Sequence, residues 1–540
     1  MTINNPKYKQ LDGTNASVQD FLSDLQGAGG SSELKTLQTG AGAVSRTIAA
    51  KLNQTVSVLD FGADPTGTTN AVPAILAAAV ALGSSGGTIV VPNNCRLLID
   101  TSLTLPHGVG IQGPYEFVGS QGSNQIGTLY GIMSGLIINP AVSIFMQSNS
   151  GLKGLFIQRK GMVFPVPNTA AFAGTAIQII GDPTYQIDDV FISQCMIVGF
   201  DNAVYAYYSS RPRITDCLLD NVGGIHIEQC ADIPHLHACH SWPFTTIAAY
   251  AAAGGGLGPP GTSALLRRAG TAYKFSNVGD WNKITNCFSY GWFRGYVVNN
   301  CNSITFSGCG ADNTPLEHVG AIGFLIQGNS DDTRIVNCQA AAQAIGYYID
   351  TTANTNTRIM NSDTWVNIDH GMVIGAGNVS VIGGMIRNVP NGITVTNASA
   401  YVSVDNVKFN TIPGAAIATS ASTSRLFVGK NDYGNIAAGT PAIGGAGATT
   451  TAITSAGTVA LPSTGDNFTW NGSTNCGSIF GGWAGRRITL VFTGTPVMLN
   501  STGATTAMRL SAGGNFTATV GATLTLMHNG VQWYEVSRSA

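Results

Sequence analysis

Short strand-like runs, each closed by a polar turn, recur through the middle of the chain at a nearly constant interval. They read Val190-Phe-Ile-Ser-Gln-Cys195, Arg213-Ile-Thr-Asp-Cys217, His235-Leu-His-Ala-Cys239, Lys283-Ile-Thr-Asn-Cys287, Ile304-Thr-Phe-Ser-Gly-Cys309 and Arg334-Ile-Val-Asn-Cys338. Cys195, Cys217 and Cys239 stand 22 residues apart, and Cys287 and Cys309 repeat that interval. Three positions before the cysteine the residue is always apolar: Ile192, Ile214, Leu236, Ile284, Phe306 or Ile335. The phase continues into Ser362, Gly384 and Val407. A repeat of this length, made of short strands without helical periodicity, predicts stacked coils. The expected fold is all-β: a right-handed parallel β-helix over residues 100–418, with the six cysteines as an interior ladder of free thiols.

Composition agrees with stacked coils. The chain has 540 residues, of which only 10% are charged, against about 25% in an average globular protein. Its polar surface must therefore be Asn, Thr, Ser and Gly. A net charge of −2 gives no footprint for nucleic acid, and no apolar run reaches membrane-spanning length. Met1-Thr-Ile-Asn-Asn-Pro-Lys7 lacks the apolar stretch of a secretory signal, which fits cytosolic synthesis with reduced thiols. No cysteine pair has zinc spacing, so neither a metal nor a cofactor is expected.

Three segments follow from the pattern. Residues 1–55 are polar, carry Gly27-Ala-Gly-Gly-Ser-Ser32, and cannot build a core alone; they read as an attachment segment or linker. Residues 56–418 hold a strand and glycine turn, an Ala-rich helix at 70–82, and then the coils. Residues 419–540 begin with the linker-like Ala437-Ala-Gly-Thr-Pro-Ala-Ile-Gly-Gly445. They continue in β-branched alternation, as in Arg487-Ile-Thr-Leu-Val-Phe492 and Leu524-Thr-Leu-Met527, which predicts an antiparallel β domain.

Asp60-Phe-Gly-Ala-Asp64, the Ala-rich helix, Gly86-Gly-Thr-Ile-Val-Val-Pro92 and Leu97-Leu-Ile-Asp100 resemble the entry to the pectate-lyase-like β-helix of bacteriophage tailspikes. The resemblance extends to His240-Ser-Trp-Pro-Phe244, Asp280-Trp-Asn-Lys-Ile-Thr-Asn-Cys-Phe-Ser-Tyr-Gly291 and Gly530-Val-Gln-Trp-Tyr-Glu-Val-Ser-Arg538. It implies a helix capping the open end of the solenoid, a homotrimer, and a C-terminal domain for trimer clamping or sugar binding. It further implies attachment to a phage tail or baseplate protein through residues 1–55, a place in the virion after assembly in the host cytoplasm, and a bacterial surface polysaccharide as partner. Fold alone does not fix the chemistry.

Register sorts the polar residues. Asp188, Ser210, Asp232, Asp280, Asn302 and Asp331 recur seven positions before the column residue, where turns ask for side-chain-to-backbone bonds. Three positions after the column lie Val198, Asp220, Trp242, Tyr290, Asp312, Ala341, Trp365, Arg387 and Asn410. Acids and large aromatics stacked at roughly 4.8 Å would make a stripe suited to a sugar chain. The competing reading packs Trp242 and Tyr290 beneath the insertion at 244–273, which carries Arg267 and Arg268. His235 and His237 share one outward face, because alternate strand residues point the same way, but with no matching carboxylate they and His240 make a poor metal set.

Glycoside hydrolysis needs two carboxyls. The candidates are Asp312 with Glu317 and Asp220 with Glu228, with Trp242, Tyr290, Trp292, His240, Arg294 and Arg267 as substrate-binding residues. Endo-hydrolysis of O-antigen or capsule is the first reading. β-Elimination on a uronate-containing glycan is the second, with Tyr290, His240 and Arg294 as its groups and Lys274 and Lys283 as the lysines at hand. A non-catalytic receptor-binding fibre is the third.

Overall fold

A computed structural model describes residues 8–9, 15–16, 35–36 and 39–539, except 53–54, 116–132, 165, 253–261, 314–318, 420–424, 435–442, 446–450, 462–465 and 504–505. The chain divides into two compact units, residues 1–297 and 298–540. Both are built of parallel β-helix coils, and the fold class is the all-β, right-handed parallel β-helix.

In the first unit each coil contributes one strand to each of three parallel sheets. Sheet I includes Gly151–Lys153, Phe191–Ser193, Arg213–Thr215, His235–His237 and Lys283–Thr285. Sheet II includes Phe156–Arg159, Met196–Val198, Leu218–Asp220, His240–Ser241 and Phe288–Tyr290. Sheet III includes Thr175–Ile180, Asn202–Tyr207, Gly223–Glu228 and Arg268–Ser276. The central residue of each sheet I strand points inward, so Leu152, Ile192, Ile214, Leu236 and Ile284 stack in register, all buried. Each such side chain contributes about 1.5–3 kcal/mol. Cys195, Cys217, Cys239 and Cys287 occupy the corner between sheets I and II, buried and unoxidised. Burial pushes the Cys195 thiol up to about 12. The Cys217 thiol donates to the Ile192 carbonyl at 3.8 Å.

The residue before each cysteine turns the corner with positive φ: Gln194 at 53°, Asp216 at 53°, Ala238 at 50° and Asn286 at 53°. Asn and Asp tolerate that region better than most residues, which explains the polar residue ahead of the column. Before the coils the helix Val72–Ala81 carries Pro73 in its first turn and buries Val72, Ala74, Ile75, Ala78 and Ala79. Asp64 ties the turn before it, accepting from Thr66, Thr68 and Thr69. Those donors hold its carboxyl far below the usual range.

The second unit repeats the scheme, with Cys309 and Cys338 buried and free. Ala341, Trp365, Arg387 and Asn410 align in register on one sheet. Toward its C-terminus lies a six-stranded sheet over a core that includes Phe468, Trp470, Phe492, Phe516 and Trp533. This sheet is mixed. Arg487–Phe492, Thr523–His528 and Trp533–Ser539 pair antiparallel, whereas Thr451–Thr454, Asn467–Asn471 and Arg487–Phe492 pair parallel. Alternation reports which face is buried and is silent on strand direction.

Candidate functional site

Sequence register places Asp220 on the outward stripe, and the structure puts it there, opposite Val198. It is nevertheless fully buried. After Trp242 the chain turns back through Pro243 and the helix Ile247–Ala252, and it re-enters sheet III at Arg268. Phe244 from this insertion joins Met133, Phe156, Met196 and Val198 in a second apolar cluster outside the coil. Arg268 reaches Asp220 at 2.7 Å, and the Thr245 N–H and hydroxyl donate to its other oxygen at 2.7 and 2.6 Å. Both oxygens are thus occupied inside a dry contact, and Asp220 is removed from the acids that can meet a substrate.

Other expected residues also fall inside. Trp292 is 1% exposed and packs beside Arg268 at 5.9 Å, so it offers no face to a sugar. His240 sits edge-on to Trp242, Phe244 and Phe288, and burial holds its pKa below the ordinary value. It is a packing histidine. Arg294 lies over the Phe293 ring at 3.9 Å, half-buried, and Arg267 is half-buried as well. Trp242 and Tyr290 stack at 4.5 Å and 25°, and both stay half-exposed at the margin of the insertion. The insertion covers Val198 and Asp220, and leaves the aromatic pair partly open.

Glu228 behaves differently. On sheet III the outward residues Tyr205, His226 and Lys274 are in register, followed by Tyr207, Glu228 and Ser276. The Tyr205 hydroxyl donates to Glu228 Oε2 at 3.1 Å, and His226 Nε2 lies 3.6 Å from the same oxygen. The rings of Tyr205 and His226 are 5.1 Å apart, and Tyr207 stacks on Tyr205 at 6.2 Å. Burial, reinforced by Lys274 and opposed by Glu228, pushes His226 down to about 4. Burial and the bond to Glu228 push Tyr205 up to about 12. At neutral pH the cluster thus holds a neutral imidazole and a protonated phenol beside the Glu228 carboxyl and the Lys274 amine, on one half-buried outward face. Such a set binds hydroxyls and moves protons.

Asp312 lies in the second unit, where burial raises its carboxyl despite the Asn313 N–H donating to it at 2.7 Å. Glu317, the glycine-rich tip at 254–261 and most of residues 1–55 lie outside the described residues. Among the described residues, no group of three His, Cys, Asp or Glu side chains is arranged to hold a metal ion.

Sequence reasoning named Glu228 and Lys274 but missed Tyr205, Tyr207 and His226. Tyr205 follows Cys195 by ten residues, whereas its neighbour His226 follows Cys217 by nine. The corner between sheets II and III is one residue shorter in the second coil, so a fixed count from the cysteine misaligns the column. The outward alternation in Ile225-His-Ile-Glu228 was the available signal.

No family model and no curated protein matches the chain. Among solved structures it is similar to a mutant tailspike protein of E. coli bacteriophage HK620 in complex with pentasaccharide. That likeness has 12% identity and a TM-score of 0.49, over 96% of this chain and 98% of that one. It is also similar to the catalytic unit of a GH87 alpha-1,3-glucanase from Streptomyces thermodiastaticus, at 15% identity and TM-score 0.38, over 75% and 70% of the two chains. Tailspike protein 2 of E. coli bacteriophage CAB120 gives 14% identity and TM-score 0.41, over 74% and 49%. The fold stands on the sheets themselves, and these likenesses assign no residue.

Proposed function

We propose that the protein is a phage tailspike that binds and cleaves a bacterial surface polysaccharide, with Glu228 as the proton-transferring carboxyl. The observation that supports this most is the outward group of Glu228, Tyr205, His226 and Lys274 on sheet III. A β-helix normally covers its flanks with small neutral residues. Four ionisable groups meeting on one face have no folding reason of the kind that explains Asp220. The Trp242–Tyr290 stack supplies aromatic faces for sugar rings. Glu228 lies five residues along its strand from Gly223, roughly 16 Å from the sheet corner where the aromatic pair sits. That span suits an oligosaccharide better than a single sugar, and hence an endo-acting enzyme.

Hydrolysis with Glu228 as one of the two carboxyls it needs, general acid or base, is the first reading. Elimination on a uronate is the second, favoured by one observation: Lys274 stands in register with His226 beside the phenol of Tyr205. There Lys274 would offset the uronate carboxylate, Glu228 would take the proton from the carbon beside it, and the Tyr205 phenol would protonate the leaving oxygen. The proposal includes a homotrimer attached to the phage tail through residues 1–55, with residues 419–540 as clamp or sugar-binding domain. Incubating purified protein with surface polysaccharides of candidate hosts tests it. New reducing ends without ultraviolet absorbance of an unsaturated product indicate hydrolysis, and both together indicate elimination. Neither, with tight glycan binding, leaves a binding fibre.

A further inference from the structure

Sheet I of the first unit carries a row of positive charge that the fold does not use. Phe191, Arg213, His235 and Lys283 are in register on its outward face, and all four are exposed. The next outward row holds Ser193, Thr215, His237 and Thr285, with His237 hydrogen-bonded to Thr285 at 2.7 Å. Arg213 and Lys283 make no ion pair within 4.0 Å among the described residues. Arg211 holds the turn acids Asp189 at 2.9 Å and Asp232 at 3.1 Å, and Arg213 acts on Asp189 through space only.

Arg213 and Lys283 are two strand steps apart, roughly 10 Å, with the imidazole between them. Like charges along one row of a sheet oppose folding. In a chain with only 10% charged residues, Arg213, His235 and Lys283 stand on three successive strands of one row. Their apolar neighbour Phe191 is 39% exposed at the end of the same row. Cations in line beside an open aromatic ring match a polymer that carries regularly spaced anions on sugar rings.

We propose that this row binds an acidic polysaccharide, its anionic substituents lying along Arg213, His235 and Lys283 and a sugar face resting on Phe191. The surface is on a different sheet from Glu228. The inference keeps the glycan partner of the proposed function and adds that the glycan is anionic. Burial and the two flanking cations lower the pKa of His235. The groups facing it are Arg213 and Lys283 on the flanking strands, His237 on its own strand, and Asp232 and Asp280 at the turn before. A bound polyanion favours the imidazolium, so affinity rises as pH falls below the ordinary histidine value.

Fluorescence anisotropy of a labelled oligogalacturonate against the full-length protein tests this. Wild type is expected to bind it, to ignore neutral dextran of equal length, and to bind more tightly at about pH 5.5 than at about pH 7.5. The Arg213→Gln/Lys283→Gln double variant is expected to bind at least about tenfold more weakly, with a shallower salt dependence. Arg213→Lys/Lys283→Arg is expected to retain binding, and His235→Gln to lose the gain at low pH. Wild type failing to bind, the double variant binding like wild type, or preference for duplex DNA over the glycan would each overturn the inference. Loss of oligogalacturonate binding in Arg213→Gln/Lys283→Gln supports the row whether or not Glu228 proves catalytic. Cleavage that depends on Glu228 without oligogalacturonate binding would instead overturn the charged row alone.

Discussion

The guanidinium of Arg268 lies 2.7 Å from the carboxylate of Asp220, and neither side chain is exposed to solvent. The two residues are 48 positions apart in sequence and are brought together by the insertion that begins after Trp242. Arg268 also donates to the carbonyls of Leu265 and Arg267 and to the Thr246 hydroxyl, so one side chain closes both ends of the inserted segment. Removing one partner of a buried pair leaves the other charge unpaired, at a cost of about 3–5 kcal/mol. Asp220→Asn is therefore expected to lower the melting temperature and to speed amide exchange in Ile247–Ala252. An unchanged melting curve with turnover reduced by orders of magnitude would instead make Asp220 catalytic.

A second prediction concerns acid. His226 titrates near 4 in the folded chain, below its ordinary 6.5. An unfolded chain takes up that proton at higher pH than the folded one does. The stabilisation is present above about pH 6.5 and is lost as pH falls towards about 4, up to roughly 3 kcal/mol in all. His226→Gln should flatten the fall in melting temperature across that window. A variant whose acid sensitivity matches wild type would contradict the burial assigned to this ring.

The third rests on the aromatic pair. Trp242→Ala removes one face of the 4.5 Å stack with Tyr290. It should weaken oligosaccharide binding by about 1–3 kcal/mol, read by calorimetry, and lower turnover only through that binding. Trp292→Ala should act on stability instead, because that ring is buried against Arg268.

The fourth concerns assembly. Sedimentation at micromolar concentration is expected to give a trimer; a monomer would remove that part of the proposal.

The coil register was legible because it is written twice in every repeat, once in the inward Ile192–Ile214–Leu236–Ile284 stack and once in the cysteine column. The stripe through Asp220, Trp242 and Tyr290 followed from that count. What a count along one strand cannot show is cover: Asp220 and Trp292 are closed off by an insertion whose return path depends on Arg268. Nor does it survive a corner of changed length, which hid Tyr205 and His226 beside Glu228. Cys230 and Cys301, buried thiols that donate to the carbonyls of Asp232 and Asn299, stand outside the count that links the six.

The central claim is that Glu228 moves a proton during glycan cleavage, and Glu228→Gln tests it most directly. Gln keeps the shape and can still accept from the Tyr205 hydroxyl, so the fold and the oligosaccharide affinity should be unchanged. With a host polysaccharide that the wild type cleaves, the expected result is turnover reduced by roughly a hundredfold or more, with the same melting temperature. Near-wild-type turnover in Glu228→Gln would contradict the account and move the active site off sheet III.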